Sequence, residues 1–139
     1  MKKQATKIKI CGLTEEKEAD YLNQIHADFA GMVVFFPKSK RNISLDQAKK
    51  IKAALLPEIK TVAVTVSPTL AQISQIAEAG FDLIQIHGEP ADLDIKTAKS
   101  ICEYTGKLSL PILKAFNVSD IAGGGKPPQA VKKVRLTVI

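Results

Sequence analysis

An ammonium and a thiol stand two residues apart in Lys9-Ile10-Cys11, at the end of a short apolar run near the N-terminus. Side chains alternate along a strand, so Lys9 and Cys11 share one face at roughly 7 Å. A free thiol has a pKa of about 8.5, and to act as a base at neutral pH it needs a cation or a helix N-terminus beside it. Lys9 could be that cation, or it could be held by an interior carboxylate as a structural pair. The same alternation in the run 82–87 sends Gln85 and His87 to the face opposite Ile84 and Ile86. In 111–116 it is expected to turn Lys114 inward and Leu113 and Ala115 outward. Arg41 adds a guanidinium in the basic stretch Lys38-Ser39-Lys40-Arg41, and its planar fork suits a carboxylate. Together these groups could move a proton near an anchored acid.

Each residue also has a plain reading. A free cysteine is often a small buried hydrophobe, a basic turn is usually solvated, and a lone histidine is usually structural. Gln85 on the same side as His87 weighs toward a site. His26 reads as helix surface, and Cys11 and Cys102 lie far apart without metal-ligand spacing. That cysteine usage points to a reduced, cytoplasmic setting.

The elements that must position these groups alternate. Strands are expected over 7–11, 30–35, 61–66, 82–87 and 111–116, each short, apolar and bounded by Gly, Pro or polar clusters. Thr14 can cap a first helix with Ala19, Leu22, Ile25 and Phe29 as its apolar stripe. Ser44 to Gln47 reads as a capping box before Ala48, Ile51 and Leu55. Ser67-Pro68 opens a third helix with Leu70, Ile73, Ile76 and Ala77 inward and Gly80 as its stop. A fourth covers 93–104, with Ile95, Ala98, Ile101 and Cys102 inward and Gly106 after it. This βαβαβαβαβ order is the signature of a parallel α/β sheet, closed into a barrel or open and doubly wound in the flavodoxin manner.

At 139 residues, 45% hydrophobic and 24% charged, the chain reads as one globular domain rather than a disordered or fibrous one. Its net charge of +6 is spread over scattered lysines without interleaved aromatics, which argues against nucleic acid and suits an anionic, phosphorylated ligand. The basic N-terminus is followed by too short an apolar run for a signal peptide, and nothing approaches a membrane span.

Lys9 to Thr14, Gly31 to Arg41, Val62 to Val66 and Gln85-Ile86-His87-Gly88-Glu89, in this order and spacing, resemble the phosphoribosylanthranilate isomerase family of tryptophan biosynthesis. The resemblance runs from about Lys7 to about Asn117. It implies a (β/α)8 barrel and an Amadori rearrangement of N-(5-phosphoribosyl)anthranilate. By the same resemblance Cys11 is the base, Arg41 holds the anthranilate carboxylate, and Gln85 and His87 line the substrate pocket. Lys9 and Lys114 stand as site-lining or pKa-tuning groups. No metal or organic cofactor is implied.

Such a barrel typically takes about 200 to 250 residues, so the chain reads as a partial barrel of about five βα units over 1–119. Residues 120–139 then form an irregular tail, with a possible strand at 134–139. The family's acid, an aspartate ending strand six, and its phosphate loops after strands seven and eight find no match. Glu89, Asp120 and Asp82 stand in the wrong contexts, and Gly123 to Lys126 only weakly resembles a phosphate loop. The resulting expectation is an isomerase truncated and impaired as written. The alternative is a non-catalytic half-barrel that binds a partner chain or self-associates through exposed sheet edges.

Overall fold

The computed structural model describes the backbone of residues 6–87, 95–117 and 135–138, and the side chains of 6–87 and 100–113. The strands are β1 (Lys9–Cys11), β2 (Phe29–Val33), β3 (Lys60–Val66), β4 (Leu83–His87), β5 (Ile112–Asn117) and β6 (Arg135–Val138). Between the first five lie α1 (Glu18–Ile25), α2 (Leu45–Ala54), α3 (Leu70–Glu78) and α4 (Ile95–Lys107). The sheet order is β1-β2-β3-β4-β5-β6. Its first four pairings are parallel, and β6 runs antiparallel to β5 from Lys114 opposite Val138 to Asn117 opposite Arg135.

Two apolar layers follow from strand alternation. Ala30, Met32, Val34, Ala63, Ile84 and Ile86 are buried together with Ala19, Leu22, Ala48, Ile51, Ile73 and Ile76 of the helices. The opposite face buries Phe29, Val62, Val64 and Leu113, flanked by Val33 and Leu83, and contains no helix residue. Among the described residues the helical cover thus lies on one side, and neighbouring strands are neighbours in sequence. That excludes the doubly wound alternative, which needs helices on both faces and a reversal of strand order. It is the arrangement of a β/α barrel wall, whose inner face meets other strands across the axis.

Strand five corrects one expectation. Leu113 lies opposite Gln85 and belongs to the inner layer, whereas Lys114 stands opposite Ile86, the register position of the helix-side row. Leu110 already packs on the helix side and Pro111 precedes the strand. The alternation expected for 111–116 is therefore shifted by one residue, and Lys114 and Ala115 exchange rows.

Helix starts differ from expectation for physical reasons. Thr14 does not cap α1, which begins four residues later with no capping side chain at Lys17. Ile25 is exposed and Phe29 belongs to β2, so the α1 stripe is reduced to Ala19 and Leu22. Ser44 does cap α2, accepting from Gln47 N at 3.1 Å. The cap of α3 is Thr69 rather than Ser67: Thr69 and Gln72 form a reciprocal capping box, and Ser67 takes a left-handed φ of 44°. Gly80 ends α3 at φ +87° as its missing Cβ permits. In α4 Cys102 is exposed, and Thr105 is buried beside Ile101. Gly106 lies inside the helix, which ends at Lys107, two residues before a left-handed Ser109. The side chains of Ile95 and Ala98 lie outside the described residues.

Two aspartates repeat one device. Asp28 donates its N–H to the Ile8 carbonyl at 2.9 Å and accepts from Ile8 N at 2.7 Å. Asp82 does the same with Thr61, at 3.1 and 2.8 Å. Each carboxylate thereby fastens the start of its strand to another strand at the end of the sheet opposite Cys11.

Candidate active site

The C-terminal ends of β1, β2 and β4 converge on one inner surface. Cys11 is the last residue of β1, exposed and free. Its register partner is Gly31 of β2, and the chain turns sharply after it, with Gly12 N and Leu13 N both donating to the Gly31 carbonyl at 2.9 and 3.2 Å. Lys9 lies on the same face, and its Nζ donates to Oε1 of Gln85, a buried residue in the middle of β4. His87 is two residues further on the same inner row and half-buried, opposite Val66 of β3.

Arg41 reaches this surface because its loop folds back over β2. Asn42 Oδ1 accepts from Phe36 N at 2.8 Å, Ile43 N donates to the Val33 carbonyl at 2.9 Å, and Ser39 Oγ accepts from Arg41 N at 3.2 Å. The guanidinium then donates from Nη1 to the Cys11 carbonyl at 3.4 Å. Gly12, at φ +91°, provides the room: a Cβ there would lie 2.6 Å from both Cδ and Nη1 of Arg41.

The loop between β1 and α1 is held from two sides. Glu18 Oε1 accepts from Thr14 N, Thr14 Oγ1 and Glu15 N at 3.1, 2.9 and 3.0 Å. Gln47 Nε2 of α2 donates to the Thr14 carbonyl at 3.1 Å. Burial of the Glu18 carboxyl acts to raise its pKa, but the donors from Thr14 and Glu15 and the charge of Arg41 outweigh it, leaving the group below its ordinary value.

Of the residues singled out from the sequence, Lys9, Cys11, Gln85 and Arg41 are joined by direct contacts or a shared neighbour, and His87 shares their face. Lys114 is at the wrong register position for that face, and its side chain lies outside the described residues. So do Glu89, Asp120 and Gly123 to Lys126. Asp82 is at the opposite end of the sheet, bound to Thr61. Among the described residues no group of three His, Cys, Asp or Glu is arranged to hold a metal ion. No helix among them is long and apolar enough to cross a membrane.

Gly31 and Glu18 are not among the site residues read from the sequence, and Gln47 is read there only as part of a capping box. A glycine inside a strand is a signal of close approach and could have exposed Gly31. The other two act across turns and elements that one-dimensional periodicity does not report.

The family model for N-(5'phosphoribosyl)anthranilate (PRA) isomerase matches residues 8–134. An N-(5'-phosphoribosyl)anthranilate isomerase of Streptococcus gordonii is 37% identical over 114 residues, 81% of this chain and 52% of that protein. The crystal structure of phosphoribosyl anthranilate isomerase from Thermotoga maritima superposes with a TM-score of 0.66 at 32% identity, covering 79% of this chain and 50% of that one. A phosphoribosyl anthranilate isomerase crystallised with reduced 1-(o-carboxyphenylamino)-1-deoxyribulose 5-phosphate gives the same TM-score and identity, with 53% of that chain covered. The chain spans about half the length of the curated relatives it matches. With its motifs, its one-sided helical layer and the parallel order of β1 to β5 in agreement, the chain belongs to the phosphoribosylanthranilate isomerase family and forms part of a (β/α)8 barrel.

Proposed function

We propose that this chain carries the base and the carboxylate anchor of a phosphoribosylanthranilate isomerase. The observation that carries the reading is the contact of the Arg41 guanidinium with the Cys11 carbonyl at 3.4 Å, which sets an anion-binding fork beside a free thiol at a barrel-strand end. In the Amadori rearrangement an acid protonates the furanose ring oxygen and the sugar opens to an iminium. A base then takes the C2′ proton, and the resulting enol-amine tautomerises to the aminoketose. Cys11 is the base. Arg41 holds the anthranilate carboxylate in both arms of its fork, so that C2′ meets the thiol. His87 and the Gln85–Lys9 pair line the wall behind the substrate. Ring opening leaves the C1′–O electron pair on the protonated oxygen as a hydroxyl, and the remaining steps are proton transfers, so the reading calls for neither metal nor organic cofactor. The phosphorylated anthranilate–sugar would be a cytoplasmic metabolite.

The acid and the phosphate anchor are to be supplied from beyond β5, so the test pairs this chain with the C-terminal half of a related isomerase. Expressed together in a tryptophan auxotroph lacking its isomerase, the pair is expected to restore growth, and either fragment alone is not. In the purified pair, Cys11→Ala should lower kcat about 10²-fold or more, while Arg41→Ala should chiefly raise KM. Near-normal turnover with Cys11→Ala removes the proposed base.

A second reading, a non-catalytic half-barrel that self-associates, is favoured by one observation: Ile8 and Ile10 of the β1 edge are 46% and 38% exposed. Growth restored by the pair decides for the isomerase.

A further inference from the structure

Gly31 occupies the middle of β2 with no positive φ, so its backbone is one that any residue adopts. A glycine in a strand interior costs conformational entropy and leaves a face unpacked. What it leaves open here is the inner surface beside Cys11. A Cβ built on Gly31 would lie 2.9 Å from Cys11 Sγ, 3.2 Å from Cys11 Cα and 3.2 Å from Lys9 Cε. Carbon atoms in good contact sit at about 3.5–4.0 Å. The thiol and the Lys9 stem therefore fill the volume that any side chain at 31 would claim.

We propose that Gly31 is a positioning residue for Cys11. The proposal rests on the reading of Cys11 as the base and adds which strand aims it. The missing side chain on β2 lets the thiol lean over the inner face, with the Lys9 stem alongside as it passes to Gln85. A methyl group at 31 moves the thiol first, because rotating one side chain costs less than shifting two paired strands. The contact with the strand itself, 3.2 Å at Cys11 Cα, asks for a shift of only a few tenths of an ångström. Gly12 differs from Gly31 in this respect, since its φ of +91° would strain any replacement whatever the space. Position 31 therefore isolates the effect of volume.

The test uses the full 139-residue chain, as wild type, Gly31→Ala, Gly31→Val and Val33→Ala. Each is treated with iodoacetamide under native conditions, and mass spectrometry reads alkylation of Cys11 and Cys102 in the same sample. Cys102, exposed on α4, is the internal reference. Gly31→Ala should change the Cys11-to-Cys102 rate ratio about threefold or more, the factor that off-rotamer strain converts to. Gly31→Val should change it further. Val33→Ala, on the same strand and face, should leave it near the wild-type value. An unchanged ratio in Gly31→Ala, with circular dichroism and cooperative unfolding like wild type, overturns the proposal even if Gly31→Val fails to fold. The assay needs no catalysis. A ratio that responds to Gly31 in a chain whose complementing pair is inactive overturns the isomerase reading alone, and an active pair whose ratio ignores Gly31 overturns this proposal alone.

Discussion

Glu18 closes the turn that carries the proposed base, and it does so as a carboxylate. Three donors from Thr14 and Glu15 converge on Oε1, and each of these bonds is stronger to the ionised group than to the neutral acid. Burial opposes ionisation, but those donors and Arg41 leave the folded-state pKa below the ordinary value. The sign follows: a depressed folded pKa means that the unfolded chain binds the proton more readily, so stability rises with pH through this window. Glu18→Gln should therefore be less stable than wild type above about pH 4.3, the ordinary glutamate range. The gap should narrow as pH falls through the folded pKa. Urea unfolding at a series of pH values checks this, and a gap independent of pH would show that the carboxylate charge is not what holds the turn. The sequence contained both partners, but expectation made Thr14 the acceptor and cap. In the structure Thr14 donates, because α1 starts at Glu18 and the loop before it needs an acceptor.

Among the elements, α3 shows how a cap is chosen. Ser67, Pro68 and Thr69 compete to open it. Thr69 prevails because it alone has Gln72 three residues on, and both halves of the box close: Gln72 N to Thr69 Oγ1 at 3.2 Å and Thr69 N to Gln72 Oε1 at 3.0 Å. Thr69→Ala should cost about 1 kcal/mol, whereas Ser67→Ala should stay within about 0.5 kcal/mol. Equilibrium unfolding of the two variants distinguishes them, and equal losses would contradict the assignment. At the end of α2 a single side chain does comparable work. Asn23 of α1 donates to the Ala54 carbonyl at 3.0 Å and accepts from Leu56 N at 2.9 Å, closing a terminus that lacks a glycine. Ile25, two positions on, was assigned to the core by its spacing. In the structure it is exposed, because α1 turns Ala19 and Leu22 to the core and carries Ile25 to the outside of its last turn.

At the scale of the molecule, β1 pairs on one side only among the described residues, and the helix-side residues of that strand are uncovered. On the far flank a cavity of about 460 Å³ opens between the end of α4 and the start of β5, lined by Cys102, Thr105, Leu110 and Ile112 among others. An unpaired strand edge with apolar flanks is a template for another chain. The chain alone should self-associate in sedimentation velocity across the micromolar range, and the double variant Ile8→Glu, Ile10→Glu should shift it toward monomer. A wild-type chain that sediments as monomer throughout would remove self-association from the account.

The order of strands and helices, the family and the inward pairing of Lys9 with Cys11 and of Gln85 with His87 were legible in the sequence. They depend on local periodicity and on motifs read along one strand at a time. The single helical layer, the register that exchanged Lys114 and Ala115, the Arg41–Cys11 contact and the close approach at Gly31 were decided by tertiary structure. Each depends on how two segments distant in sequence are set against each other. Hydrogen-bond register and excluded volume determine that, and neither is a property of any one segment.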